Sequence, residues 1–188
     1  MLKLLKSLMI VLGLSSISTF ATNAYYSDQA TVTSNKFSTG IWHGPDKVVI
    51  NEIYSHPNTR EVEWIELYNV NSQPLSLVNY SIGDGTTATP KNLSSYNIPI
   101  GGYLVLNKDT DFSFSLNNSG DIIKLRKSGN MADQVSYGNW DDGDIANNAP
   151  MPPMGQSIAR FTNGHDTDND LADFRIDIIP TKGTENIN

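Results

Sequence analysis

The sequence contains no cysteine among its 188 residues. This absence excludes disulfide bonds, thiol catalysis and thiolate metal sites. Basic residues are also few: 13 Lys and Arg stand against 20 Asp and Glu, which gives a net charge of -7. The chain has no Lys/Arg cluster of the kind that neutralises phosphates. We therefore expect neither nucleic acid nor an anionic membrane as a partner.

Several patterns that would indicate other classes of protein are missing. No segment repeats apolar residues at helical spacing over three turns, so the sequence predicts no substantial helix. No Gly-rich loop introduces a helix, and no Gly-x-Ser-x-Gly occurs, so neither a nucleotide site nor a serine hydrolase elbow is indicated. The three histidines lie apart from one another in loops, without partners at metal-ligand spacing.

The N-terminus has the order of a secretory signal. Lys3 and Lys6 precede an apolar run over residues 8–14, and small polar residues follow as far as Ala24. The apolar run is far shorter than the ~20 residues that a membrane span needs. We predict a signal peptide over 1–24, a secreted or cell-surface protein, and no membrane span after processing. An uncleaved anchor is the alternative.

Residues 25–46 form the predicted N-terminal strand and linker. The stretches Tyr25-Tyr26-Ser27-Asp28 and Phe37-Ser38-Thr39-Gly40 resemble the N-termini of proteins matured by the endoplasmic-reticulum-like type of signal peptidase. Bacterial biofilm fibre subunits and camelysin-like surface proteins are of this kind. The resemblance implies self-association through a strand at 29–37. A short strand that merely leads into the domain explains the same residues.

The stretch from Glu63 to Tyr68 alternates two sets of side chains over six residues. Both sets contain apolar residues, which is typical of a strand inside a sheet, flanked by its neighbours in sequence. Trp64 is the best single candidate for the core because an aromatic side chain of this size buries a large apolar area.

Further short strands, separated by turn residues, are predicted before and after this stretch. Together they indicate an all-β, antiparallel β-sandwich over 47–188. The predicted strands are 48–54, 62–68, 75–82, 103–107, 122–126, 131–137, 157–161 and 174–179.

The ordered series of these pieces resembles the lamin-tail domain family. The matching residues are Val49-Ile50-Asn51-Glu52-Ile53, Glu63-Trp64-Ile65-Glu66-Leu67-Tyr68-Asn69, Leu75-Ser76-Leu77, Pro99 to Leu106, Leu116 to Asp121, Arg160, Asp173-Phe174 and Pro180-Thr181-x-Gly183-x-x-Asn186. The resemblance implies an immunoglobulin-like sandwich that binds or tethers and is not an enzyme. Lys182 departs from the family pattern, which usually has a second proline there.

Glu52, Glu63 and Glu66 lie on strands expected to be adjacent, and a pair of carboxylates is what a glycosidase needs. Glu63 and Glu66 point to opposite faces of their strand, however. We therefore interpret all three as structural.

An acidic loop near the C-terminus suggests Ca²⁺, the one cofactor that the sequence indicates. Calcium takes six to eight oxygen ligands, and aspartates at alternate positions supply a partial cage. The EF-hand pattern fails, since Leu171 replaces the turn glycine and Asp177 the closing glutamate. Ordinary Asx-turns are the alternative. The candidate metal ligands are Asp166, Asp168, Asp170 and Asp173.

A second acidic loop follows the strand at 131–137. We predict that two exposed aromatic side chains and the neighbouring carboxylates form a contact patch for an extracellular protein or an envelope polymer. Partial burial of the aromatic rings under the loop is the alternative. The patch comprises Tyr137, Trp140, Asp141, Asp142 and Asp144.

Three functions are consistent with the sequence. The first is a secreted or surface-displayed binding or structural module without enzymatic activity. The second is a self-assembling matrix subunit, and the third is a small secreted calcium-dependent hydrolase, which would need carboxylates that converge in a pocket.

If Ca²⁺ orders the loop 166–173, calcium should raise the melting temperature. A ligand that binds only the folded state at 100 times its Kd stabilises by about 2.7 kcal/mol. The measurement is thermal unfolding in excess calcium and in a chelator, and equal melting temperatures would rule out this calcium site.

Overall fold

The computed structural model describes residues 47–87 and 89–187. The predicted signal peptide, the strand at 29–37 and the linker as far as residue 46 all lie outside the described residues. Within them, no helix is long and apolar enough to cross a membrane. The strands are β1 (Val48–Tyr54), β2 (Trp64–Asn69), β3 (Leu75–Ser76), β4 (Tyr80–Gly83), β5 (Lys91–Asn92), β6 (Asn97–Ile98), β7 (Tyr103–Asn107), β8 (Gly120–Lys127), β9 (Asn130–Gly138), β10 (Ser157–Arg160) and β11 (Phe174–Asp177).

The strands form a five-stranded sheet in the order β11-β10-β1-β2-β7 and a four-stranded sheet in the order β5-β4-β8-β9. Strands β3 and β6 pair in a small third sheet. All of these pairings are antiparallel. The helices among the described residues are short: a 3₁₀ helix at Ile145–Asn147 and α1 at Asp170–Asp173. The prediction of an all-β antiparallel sandwich is confirmed.

The core lies between the two large sheets and comes from alternate residues of their strands. Ile65 and Leu67 of β2 point into it, and so do Ile123 and Leu125 of β8. The side-chain period of two in a strand explains this division of each strand into an inner and an outer face.

Strand β2 is an interior strand, as predicted, but one of its neighbours differs from the prediction. The preceding strand β1 pairs with it, whereas its other neighbour is β7 and not the segment 75–82. That segment divides into β3 and β4 because Asn79 has a φ of 66° and the Tyr80 amide bonds back to the Leu77 carbonyl at 3.0 Å. A residue in the left-handed region interrupts a strand.

A β-bulge in β1 sets the polar part of the outer face. The register between β1 and β2 shifts between Ile50 and Glu52, so Asn51 is the extra residue opposite Glu66. A bulge turns two consecutive side chains toward the same face. Asn51 and Glu52 are accordingly both bonded to groups on the outer side of the sheet.

Trp64 is buried, as predicted, but it lies on the outer face and outside the main core cluster. Its ring stacks on Tyr54 with the centroids 5.5 Å apart. The Lys182 ammonium lies over the ring, 5.6 Å from its centroid. The C-terminal segment, residues 178–187 after β11, therefore covers the outer face of the sheet, and a second apolar layer forms between them.

The substitution Trp64→Ala should lower the free energy of unfolding by roughly 3–5 kcal/mol, because it leaves a cavity where a nearly fully buried ring is stacked. Chemical denaturation measures this change. The control Val62→Ala, at an exposed position two residues away, should stay within about 0.5 kcal/mol of the wild type. A Trp64→Ala variant as stable as the control would contradict the role given to this layer.

Candidate functional site

Arg160 is fully buried between the two large sheets and is the centre of a polar cluster. Its Nε donates to the Ile50 carbonyl at 2.8 Å, and its Nη1 donates to the His165 carbonyl at 2.8 Å. The same Nη1 also donates to the Asp173 carboxylate at 3.1 Å. Because a guanidinium offers five donors in a fixed plane, one side chain can tie β10 to β1 and to the following loop.

Two more carboxylates pair with this guanidinium. Arg160 Nη2 lies 3.5 Å from the Asp133 carboxylate on β9 and 3.4 Å from the Asp166 carboxylate. The Phe174 ring stacks below, 4.6 Å from the guanidinium carbon. The cluster thus links the two sheets and the 161–173 loop across the edge of the core.

The structure places three of the four predicted calcium ligands around this cation. Asp166 and Asp173 pair with Arg160, and the Asp170 carboxylate accepts the Ser136 amide at 2.8 Å. Asp168 is exposed and has a φ of 58°. Across 47–87 and 89–187, no group of three His, Asp or Glu side chains is arranged to hold a metal ion. Calcium binding stays a prediction, and an ion in this loop would compete with Arg160 for the same oxygens.

Burial is the largest influence on the pKa values of Asp133 and Asp170 in this cluster. It raises the pKa of Asp133 to about 7, against the opposing effect of the Arg160 charge. Burial also raises the pKa of Asp170 to about 7, against the hydrogen bond from Ser136. Neighbouring carboxylates add to both shifts because like charges disfavour ionisation. The cluster therefore takes up or releases protons near neutral pH.

The predicted patch at the second acidic loop is only partly exposed. Tyr137 is fully buried in the core, and its hydroxyl donates to the Asn117 carbonyl at 2.8 Å. The prediction that Tyr137 is exposed is wrong, because position 137 of β9 faces the opposite sheet. Trp140 is half-buried against Gly85. The three carboxylates of Asp141, Asp142 and Asp144 are exposed.

Glu63, the first of the three glutamates considered for catalysis, serves the fold. Its carboxylate accepts the Leu116 amide at 2.8 Å and the Lys108 ammonium at 3.2 Å. It therefore ties β2 to the loop before β8 and is separated from the other two glutamates by the sheet.

Glu52 and Glu66 are fully buried opposite each other on β1 and β2, and both hold the C-terminal segment. Glu52 accepts the Thr181 amide at 3.0 Å and the Ser157 hydroxyl at 2.5 Å. Glu66 accepts the Gly183 amide at 2.6 Å and the Asn51 side-chain amide at 3.0 Å. Since their oxygens already accept bonds from the fold, this carboxylate pair acts as a clamp.

Both carboxylates of the clamp have a raised pKa. Burial raises the pKa of Glu66 to about 7, and the nearby Glu52 carboxylate adds to this shift. Burial likewise raises the pKa of Glu52, although hydrogen bonds from Ser157 and Thr181 oppose it. A buried carboxylate without a cation beside it favours its neutral form.

Next to the clamp, a cleft of about 500 Å³ opens on the outer face. We call it the Arg60 cleft; its floor is the stacked pair Tyr54 and Trp64, and its walls include Arg60, Ile179 and Lys182. It combines an aromatic floor, aliphatic walls and two cations. Such a mixture of apolar surface and a few polar groups is typical of a ligand site.

The one carboxylate of the Arg60 cleft, Glu61, is already engaged. It accepts the Tyr54 hydroxyl in a short hydrogen bond and the Asn58 amide at 3.1 Å. These bonds hold the pKa of Glu61 below its usual range, whereas burial raises the pKa of Tyr54. The two pKa values are moved away from neutrality in opposite directions, which does not suit proton transfer at neutral pH.

The sequence interpretation did not identify the cleft residues as a site. Two signals point to them in hindsight. Lys182 departs from the proline of the family pattern, and it lies over Trp64 while its ammonium donates to Asn107 at 2.6 Å. The run Ile178-Ile179 continues the apolar pattern past the end of β11. These two side chains therefore lie outside the sheet and are exposed.

The pKa of Glu66 predicts how stability depends on pH. Since its folded pKa of about 7 lies above the value of the unfolded chain, the contribution of Glu66 to stability is full at low pH and falls as pH rises from about 5 to 8. Glu66→Gln should remove up to roughly 3 kcal/mol of this fall. Urea denaturation across this pH range measures it. Glu185→Gln, on the same segment but exposed, is the control, and a Glu66→Gln variant that keeps the wild-type slope would contradict the assignment.

Comparison with family models matches residues 43–139 to the Lamin Tail Domain family. A comparison with curated proteins found no match. The matched region ends after β9, yet β10 pairs with β1 and β11 pairs with β10 in the same sheet, so the domain continues beyond it. Because the match spans just over half of the chain, this chain belongs to the lamin tail domain family, whose members are non-enzymatic immunoglobulin-like β-sandwiches.

Proposed function

We propose that this chain is a binding module without enzymatic activity that acts outside the cytoplasm, on an extracellular protein or an envelope polymer. The Arg60 cleft carries the proposal. It is a preformed depression with aromatic, aliphatic and cationic surfaces, and its one carboxylate is already bonded to neighbouring groups. Export is supported by the order of charged, apolar and small residues over 1–24.

The geometry favours binding over hydrolysis. A glycosidase needs two carboxyl groups that flank a bound substrate. Glu52 and Glu66 are adjacent, but they are fully buried and bonded to the C-terminal segment. A hydrolase would have to expel that segment before a substrate reached either carboxylate.

Calcium stabilisation remains part of the proposal for the loop 166–173. Its support is the acidic sequence of the loop and the exposed position of Asp168. An ion bound there would have to share the oxygens of Asp166 and Asp173 with Arg160, so its effect on the melting temperature decides between the two roles of this loop.

Self-assembly through the predicted strand at 29–37 is a second candidate. The observation that favours it is that β7, with five residues, stands at one edge of the five-stranded sheet. An edge strand has unpaired main-chain groups on one side and can accept an added strand.

The proposed function is tested by co-sedimentation of the purified chain with an insoluble cell-envelope preparation from the cells that produce it. The wild type should pellet with the envelope and saturate. Arg60→Ala should weaken this binding about tenfold, since it removes an exposed charged contact. Lys124→Ala, which removes a cation from the other sheet, is the matched control.

Two results would contradict the proposal. One is a wild-type chain that stays in the supernatant at every envelope concentration. The other is the release of soluble sugar or peptide fragments from the envelope at a rate that depends on the chain, because this would indicate a hydrolase.

A further inference from the structure

We infer that the Arg60 cleft binds the acidic loop 141–145 of a second copy of this chain. The inference rests on the proposed role of the cleft as a contact surface and names one partner for it. It uses two surfaces that are both present on the described part of the chain, and it is independent of the strand at 29–37.

The cleft has an excess of positive charge on an acidic protein. Arg60 is exposed and makes no hydrogen bond or ion pair with any residue in 47–87 or 89–187. Lys182 adds a second cation at the opposite wall. Glu61 is the one acidic residue in the lining, so two cations and one carboxylate give the cleft a net charge of about +1. The chain as a whole carries -7, so this cleft is a local exception that attracts acidic groups.

The backbone holds Arg60 in position before any partner arrives. Its φ is 77°, a conformation that a residue with a side chain adopts rarely and at an energetic cost. The turn around it is closed by the Glu61 amide, which donates to the Asn58 carbonyl at 3.1 Å. On the other side, Gly155 lets Asn58 approach so closely that an added Cβ would lie 2.6 Å from the Asn58 side-chain oxygen. The guanidinium is therefore presented by a constrained turn.

Beside the cations, the cleft has an apolar rim. Ile178 is 74% exposed, Ile179 is 69% exposed and Val62 is 42% exposed. All three line the same cleft. Adjacent exposed aliphatic side chains around a depression indicate a contact surface, since single scattered ones would need no explanation.

The loop 141–145 offers the complementary groups. Asp141, Asp142 and Asp144 are exposed, and Ile145 beside them is 51% exposed. The base of the loop is held by Asn148, whose side-chain amide donates to the Gly138 carbonyl at 3.0 Å and to the Trp140 carbonyl at 2.7 Å. The Asp142 carboxylate accepts the Ser136 hydroxyl at 2.6 Å, so the tip presents the carboxylates of Asp141 and Asp144 and an aliphatic side chain to a site that has cations and an aliphatic rim.

The two surfaces are different parts of the chain, so the contact is heterologous. Such contacts produce rings when the rotation closes and open chains when it does not. One loop in one cleft buries less area than a standard protein interface, so the association is weak and depends on concentration and salt. Kd values on the order of 0.1 mM are expected for a contact of this size.

A charge exchange tests the inference. The chain, purified in its exported form, is studied by sedimentation equilibrium from about 10 μM to 1 mM in low salt. The wild type should show a mass that rises with concentration, and a tenfold rise in salt should reverse most of the increase. Arg60→Glu and the double variant Asp141→Lys/Asp144→Lys should each stay monomeric. Their equimolar mixture should associate, because the wild-type loop of the Arg60→Glu variant fits the wild-type cleft of the other variant, and the reversed loop fits the reversed cleft.

Control experiments distinguish the loss of the contact between copies from the loss of the folded structure. Arg60→Gly removes the side chain and relieves the backbone conformation, so this variant should keep or raise the melting temperature and still fail to associate. Arg60→Lys keeps the charge and should retain association. At about 10 μM, below its self-association range, the wild type should still pellet with envelope, so that self-association is measured separately from the proposed binding function.

Three outcomes would overturn the inference. The first is a wild type that stays monomeric to 1 mM at low salt. The second is association that Arg60→Glu leaves unchanged but removal of residues 25–42 abolishes, which would assign assembly to the N-terminal strand. The third is a mixture of the two folded charge variants that does not associate.

Discussion

The fold depends on one buried cation. Arg160 reaches from the end of β10 to the Ile50 carbonyl on β1 and to the Asp133 carboxylate on β9, and so joins both sheets of the sandwich. A buried charge is tolerated only when its hydrogen bonds are satisfied, and here main-chain carbonyls and carboxylates provide the acceptors. The same requirement draws Asp166 and Asp173 inward and fixes the path of the loop between β10 and β11. The acidic character of this loop is thereby explained by a partner inside the protein.

On the outer face of the five-stranded sheet, the C-terminal segment covers a surface that would otherwise face solvent. This cover creates a second buried layer. The bulge at Asn51 makes this possible because it places Asn51 and Glu52 together on the outer face, opposite Glu66. The two glutamates hold the amides of Thr181 and Gly183. Lys182, between them, covers the Trp64 ring. Lys182 thus supplies a cation to a wall of the cleft.

This arrangement explains why carboxylates are frequent in the sequence without forming a catalytic pair. Glu52, Glu66 and Glu63 each accept bonds from groups of the fold itself. In contrast, the cationic side chain of Arg60 is presented to solvent by a turn with an unfavourable backbone conformation. Backbone strain at an exposed polar residue next to a preformed cleft indicates a binding site. The function of this lamin tail domain is therefore best sought at the edge of the outer face.

The sequence by itself determined the class of fold and the position of the central strand, but not which face of that strand points into the core. Alternation over Glu63–Tyr68 predicted an interior strand, and the turn residues located most other strands, because these signals are local. Position 79 and the bulge at Asn51 could not be foreseen, since alternation of side chains does not show where a strand is interrupted or gains an extra residue. The acidic loop 166–173 attracted a metal prediction because the partner of its carboxylates is Arg160, which only the tertiary structure brings to them. The Arg60 cleft likewise exists only where the β1–β2 turn meets the C-terminal segment. Local pattern determines which residues form strands, whereas sites made by segments more than a hundred residues apart are decided by packing.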